Sequence, residues 1–129
     1  MEDINIIRDK IQHLKVLFVD DEEQIREGTY KLLSKFFTVI KTCKDGQEGV
    51  ELFTKENDFD IVITDIRMPK LNGIDMIKKI KEINPNIFVI FITASRGKLD
   101  INENLYNLYL TKPILYDDIK TIINEAYKL

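Results

Sequence analysis

Short runs of β-branched and aromatic residues alternate along this chain with longer segments whose apolar positions recur every three or four residues. The runs at 15–20, 38–43, 60–65, 87–93 and, most weakly, 109–111 read as strands. Three of them are dominated by Ile, Val and Phe without polar alternation, as in Ile87-Phe88-Val89-Ile90-Phe91-Ile92. Strands of that kind are covered on both faces, so helices are expected on both sides of the sheet. Helical periodicity falls at 22–36 with Ile25, Leu32, Leu33 and Phe36 inward, at 47–55 with Val50, Leu52 and Phe53, at 74–83 with Ile77 and Ile80, and at 116–128. Asp45-Gly46 supplies turn chemistry before the second helix, and Pro85 follows the third. Between Ala94 and Leu108, Arg96-Gly97-Lys98 and Asn102, Asn104 and Asn107 interrupt any long apolar stripe, predicting a short or irregular helix. The alternation is that of five βα units around a parallel sheet, an α/β domain.

The segment 1–14 stands ahead of this pattern as an N-terminal helical extension to a domain spanning 15–129. Its Ile4, Ile7, Ile11 and Leu14 are spaced three and four apart, an amphipathic seam too brief to hold a coiled coil alone. Two readings fit it: a short helix lying on its own domain or fraying, or a dimerisation stalk or junction with an upstream domain.

Composition narrows the function. A chain of 129 residues, 44% apolar and 32% charged, has material for one core and no more. Its 19 basic and 22 acidic residues give a net charge of −3 with no basic cluster, which argues against direct nucleic-acid binding. One cysteine, Cys43, excludes an internal disulfide and a multi-cysteine zinc site, and reads as a small buried hydrophobe. The start lacks the order of a secretory signal and the longest apolar run is far short of the roughly 20 residues that span a bilayer, so a cytoplasmic protein with no membrane partner is expected. His13 has no neighbour that completes a site and is expected in solvent.

The unusual polar residues cluster at strand ends. Asp20-Asp21 close the first run, Asp65 the third and Thr93 the fourth, while Lys112 follows the fifth. In an open parallel sheet the carboxyl ends of the strands form the ligand crevice, so these distant residues can converge. Three carboxylates repel one another, and one Lys cannot neutralise them all. A hard divalent cation is the natural complement, and Mg2+ fits best because it takes one or two carboxylates and keeps positions for water and a phosphate oxygen. An Asp beside such an ion can act as a nucleophile and form an acyl phosphate. That transfer needs mainly positioning and charge neutralisation, which Lys112 and Thr93 can supply.

The pieces Val19-Asp20-Asp21-Glu22, Asp65-Ile66-Arg67-Met68-Pro69 with Gly73 eight positions beyond Asp65, Ile92-Thr93-Ala94 and Thr111-Lys112-Pro113 together resemble the receiver domain of bacterial response regulators over roughly residues 15–128. The resemblance implies a doubly wound (βα)5 sheet in the flavodoxin-like order 2-1-3-4-5. It implies that Asp65 is the phosphoacceptor, Asp21 a direct metal ligand, Asp20 a partner reaching the ion through water, and the Arg67 backbone carbonyl a further ligand. Lys112 would pair with the phosphoryl group, Thr93 would move toward it, and Tyr109 matches the aromatic that turns inward in the active state. The Lys112–Pro113 peptide is expected to be cis. Implied partners are a histidine kinase or phosphotransfer protein and a downstream protein target or fused output domain, with a homodimer possible. The resemblance accommodates both a single-domain regulator and part of a longer regulator or hybrid kinase.

Thr93 and Lys112 are only 19 positions apart, a short spacing for that family, and Asn104-Leu105-Tyr106-Asn107-Leu108 replaces the small-residue stretch common before its last strand. The family's read-out through that region therefore does not carry over directly. Arg67 and Ser95, each two positions beyond a site residue, stand where side chains can screen attacking water, so Arg67 is expected to set the phosphoryl lifetime. Three rivals exist. A pseudo-receiver would bind partners constitutively without phosphorylation. An aspartyl phosphatase would carry Asp-x-Asp-x-Thr on the first strand, which Asp20-Asp21-Glu22 is not, and a flavin carrier would carry a Ser/Thr-rich loop there. The expected role is that of a signalling phosphoacceptor rather than an enzyme.

Overall fold

The computed structural model describes residues 4–94 and 101–129. Helix α1 (Ile4–Ile11) precedes strand β1 (Lys15–Val19), followed by α2 (Glu23–Leu33), β2 (Val39–Cys43), α3 (Gly46–Lys55), β3 (Ile61–Asp65), α4 (Gly73–Ile83), β4 (Phe88–Thr93), a 3-10 turn (Glu103–Leu105), β5 (Leu108–Thr111) and α5 (Tyr116–Tyr127). The strands form one parallel sheet in the order β2-β1-β3-β4-β5, the doubly wound α/β fold expected from the sequence. All of β3 and all but the first residues of β1 and β4 are buried, whereas the edge strands β2 and β5 are largely exposed or half-buried. Covered faces on both sides are what their unbroken apolar runs require.

The period of two in a strand divides the core. Val16, Phe18, Ile61, Ile63, Ile90 and Ile92 face a layer holding α1, α2 and α5. Leu17, Val19, Val62, Val89 and Phe91 face α3 and α4 on the other side. Both α3 and α4 begin on side-chain caps: Asp45 accepts from the Glu48 N–H and Asn72 from the Asp75 N–H, each at 2.8 Å.

Helix α2 stops at Leu33 instead of Phe36. The chain tightens there, with the Phe36 and Phe37 N–H groups both donating to the Leu33 carbonyl, and both rings are buried beyond the helix end. Leu32, expected inward, is 36% exposed, and Thr29 takes the buried place one turn before Leu33. Leu32 and Ile25 instead wall a cleft of about 500 Å³ between α2 and the β5–α5 turn.

Ile7, Ile11 and Leu14 of the N-terminal segment are buried against α5 and the α2–β2 turn, while Ile4 and Ile6 stay exposed. The Gln12 carbonyl accepts from both the Thr38 N–H and its hydroxyl, and the Lys10 ammonium stands 4.0 Å over the Tyr127 ring. Between β4 and β5, the short 3-10 turn is the regular element among the described residues. Asn102 accepts from the Asn104 N–H, and Asn107 exchanges two hydrogen bonds of 2.9 Å with Val89. Such short side chains satisfy backbone groups locally and compete with a helix. Ser95 and Arg96-Gly97-Lys98 lie outside the described residues.

Candidate functional site

Asp20 follows β1, Asp65 ends β3, Thr93 ends β4 and Lys112 follows β5, so the topology brings all four to one edge of the sheet. Asp20, Asp65 and Thr93 are buried at 1%, 6% and 2% exposure. The Lys112 Nζ lies 2.9 Å from Asp20 Oδ2 and 3.0 Å from Asp65 Oδ2, with Glu22 Oε1 at 3.4 Å. The other oxygens are held by backbone: Asp20 Oδ1 accepts from the Glu22 N–H at 2.9 Å, and Asp65 Oδ1 from the Ile66 N–H at 2.8 Å. The Thr64 hydroxyl donates to the Asp65 carbonyl at 2.8 Å.

Charge is out of balance here. Carboxylate oxygens of Asp20, Asp21, Glu22 and Asp65 all lie within 4.8 Å of one another, against one ammonium. Burial pushes the Asp65 carboxyl above its ordinary value, aided by the charge of Asp20 and opposed by the Lys112 hydrogen bond. For Lys112, burial disfavours the charge, but hydrogen bonds to Asp20 and Asp65 outweigh it and hold the ammonium above its usual range. Two buried carboxylates flanked by two exposed ones are a hard-oxygen donor set with excess negative charge, which fits a small divalent cation.

A cleft of about 340 Å³ opens over this cluster, lined by Asp21, Glu22, Asp65, Arg67, Thr93 and Ala94. Arg67 is exposed at its rim. The Lys112–Pro113 peptide is cis. Tyr109 packs on the α4 side of the sheet, its ring 5.8 Å from Tyr106, which in turn lies 5.7 Å from Phe91; its shielded hydroxyl has no hydrogen-bond partner among the described residues. His13 is exposed. Cys43 is buried, and burial pushes its thiol up to about 12.

Three residues have places at the site that the sequence reading does not assign. Glu22, part of the quoted first-strand motif, joins the acidic cluster, a place its adjacency to Asp20-Asp21 signals. Arg26 reaches back from the first turns of α2 to donate to the Asp20 carbonyl at 2.8 Å; its place one turn after Glu22 was the only sequence signal. Thr64, inside a strand, gave none. Gly73 belongs to the quoted motif, and its reason is steric: a Cβ there would collide with the Asp65 carbonyl oxygen, while its N–H donates to the Ile66 carbonyl at 2.7 Å.

Fold and site together define a doubly wound α/β domain with an acidic cluster at the carboxyl ends of its strands, and comparison with known proteins gives the family. Residues 16–124 match the response regulator receiver domain, and the chain belongs to that family, whose members are the phosphoacceptor modules of bacterial two-component systems. An uncharacterized response regulatory protein of Staphylococcus epidermidis is 33% identical over 115 residues, covering 85% of this chain and 45% of that protein. The transcriptional regulatory protein HptR of Staphylococcus aureus is 32% identical over 119 residues, covering 88% and 46%. The chain therefore spans a little under half the length of these relatives. Among solved structures, a response regulator receiver domain protein from Clostridium thermocellum superposes with a TM-score of 0.80 at 35% identity, covering 90% of this chain and 95% of that one. The response regulator TrrA from Thermotoga maritima, in complex with Mg2+-BeF, gives 0.77 at 28% identity, covering 88% and 98%. Receiver domains bind Mg2+ at an acidic site. No helix among the described residues is long and apolar enough to cross a membrane.

Proposed function

We propose that this chain accepts a phosphoryl group on Asp65 from the phosphohistidine of a histidine kinase or phosphotransfer protein and thereby switches a protein-binding surface. The observation that carries the reading is the buried Asp65 carboxylate, 3.0 Å from the Lys112 ammonium and inside a four-carboxylate cluster. An Asp65 oxygen forms the new P–O bond as the P–N bond breaks, and the electron pair leaves with the imidazole, which takes up a proton. Burial makes the Asp65 carboxylate more basic than an ordinary one, which favours it as a nucleophile. Lys112 changes partner from Asp65 to the incoming phosphoryl oxygens, and the Thr93 hydroxyl offers them a donor.

Asp20, Asp21, Asp65 and the Arg67 carbonyl would hold Mg2+, which supplies neutralisation of the phosphoryl charge. TrrA, solved with Mg2+-BeF, supports this choice. Tyr109 and Thr93 serve as the switch pair, and Arg67 at the cleft rim tunes the phosphoryl lifetime. The chain works in the cytoplasm, the location typical of the family, as a phosphoacceptor without turnover of other substrates. Its output is a downstream protein or a fused domain, as the relative described as a transcriptional regulatory protein suggests, with homodimerisation as one route. A constitutive pseudo-receiver is not favoured, because the acceptor, ammonium and acidic cluster are all present.

The test is intact mass after incubation with acetyl phosphate and Mg2+. A gain of one phosphoryl group is expected in the parent and is absent in Asp65→Asn and in chelator. No gain by a parent chain shown to be folded would overturn the reading.

A further inference from the structure

Asp21 is the weakly held member of the acidic cluster. Asp20 uses every polar group it has: its N–H donates to the Cys43 carbonyl at 3.1 Å, its carboxylate pairs with Lys112 and the Glu22 N–H, and its carbonyl accepts from Arg26 at 2.8 Å. The Asp21 carboxylate is exposed, and no hydrogen bond or ion pair among the described residues holds it. Its place in the cluster therefore depends on the backbone that carries it into the β1–α2 loop. That backbone is tied at the Asp20 carbonyl by the Arg26 guanidinium, which reaches back to it from inside α2.

We propose that Arg26 is a positioning residue of this site: by donating to the Asp20 carbonyl it fixes the Asp20–Asp21 peptide and keeps the Asp21 carboxylate within the acidic cluster. The inference rests on the reading that this cluster holds a divalent cation. Simple electrostatics makes the opposite forecast. A guanidinium beside an acidic site repels a cation, so deleting its charge should tighten metal binding. If the hydrogen bond is what matters, deleting the donor loosens it, as removal of groups that orient metal ligands does.

Two variants test the donor. Arg26→Met keeps an apolar stem and removes both charge and donor; Arg26→Lys keeps the charge and places an ammonium donor close to the reach of the guanidinium. Mg2+ alone is titrated into parent and variants, with affinity read from amide shifts in nitrogen–proton spectra and folding checked by thermal unfolding in chelator. Arg26→Met is expected to bind Mg2+ about tenfold more weakly than the parent, and Arg26→Lys to lie near the parent. Binding by Arg26→Met as tight as the parent's or tighter, or binding by Arg26→Lys as weak as that of Arg26→Met, would overturn the positioning role while leaving the cation reading intact. If the folded parent shows no Mg2+-dependent shifts, the cation reading fails and the Arg26 role fails with it.

Discussion

Replacing Asp65 by Asn breaks a 3.0 Å ion pair, yet it is expected to stabilise the protein. At an effective dielectric of about 20, attraction to Lys112 at that distance comes to about 5.5 kcal/mol. Repulsion from the buried Asp20, within 4.8 Å, returns at least about 3.5 kcal/mol of it. Asp21 and Glu22 are exposed and screened, contributing no more than about 1 kcal/mol each. The remaining cost is removal of the Asp65 carboxylate from water, several kcal/mol for a buried ion. The balance disfavours the ionised side chain, in line with the upward push on its carboxyl. Asn keeps an oxygen for the Ile66 N–H and removes the charge, so a gain of about 1–3 kcal/mol is expected in chelator at neutral pH. Lys112→Met breaks the same pair with the opposite sign, losing about 3–5 kcal/mol, because it leaves Asp20 and Asp65 buried and uncompensated.

Urea unfolding followed by circular dichroism measures both. The pH dependence follows from the direction of the Asp65 shift. Below the unfolded-chain value of about 3.9 the residue is protonated in both states and the parent equals the variant. As pH rises from there through the raised folded-state value, the unfolded chain ionises first, so the parent loses stability relative to Asp65→Asn and the gap then levels off. Saturating Mg2+ narrows the gap, since an ion at a hundredfold excess over its Kd adds about 2.7 kcal/mol to the state that binds it. An Asp65→Asn protein no more stable than the parent in chelator at neutral pH would refute the charge-imbalance argument.

Two further outcomes follow from packing. Gly73→Ala places a methyl against the Asp65 carbonyl and forces the β3–α4 loop outward; a net loss of about 2 kcal/mol is expected despite the better helix propensity of Ala, measured by the same unfolding assay. Ile11→Ala empties a site 1% exposed between α1 and α5, and should cost about 2–4 kcal/mol, whereas a frayed segment would show no change in the denaturant midpoint.

The sequence alone determined the layers and which polar residues stand at the strand ends. Unbroken apolar runs in β1, β3 and β4 demand cover on both faces, and a parallel sheet with helices on either side is the arrangement that provides it. The strand-end acids stand out because Asp20 and Asp65 each close such a run, where a charged residue has no packing role, and the hydroxyl of Thr93 ends the run between Ile92 and Ala94. Tertiary structure decided what local periodicity cannot carry. Leu32 and Thr29 both line the cleft beside α2, and only the packing around it leaves the Leu exposed and the Thr buried. The seam of α1 fits a partner chain or its own domain equally well; the groove beside α5 and the bond from Thr38 to Gln12 choose the latter for Ile7 and Ile11. One Lys112 shared by Asp20 and Asp65, and the Arg26 bond to a backbone carbonyl, also escape any spacing rule. Hydrophobic pattern is a local record of which face is buried. The pairing of charges depends on which strand ends the folded sheet sets side by side, and that is fixed only when the whole chain has closed around its core.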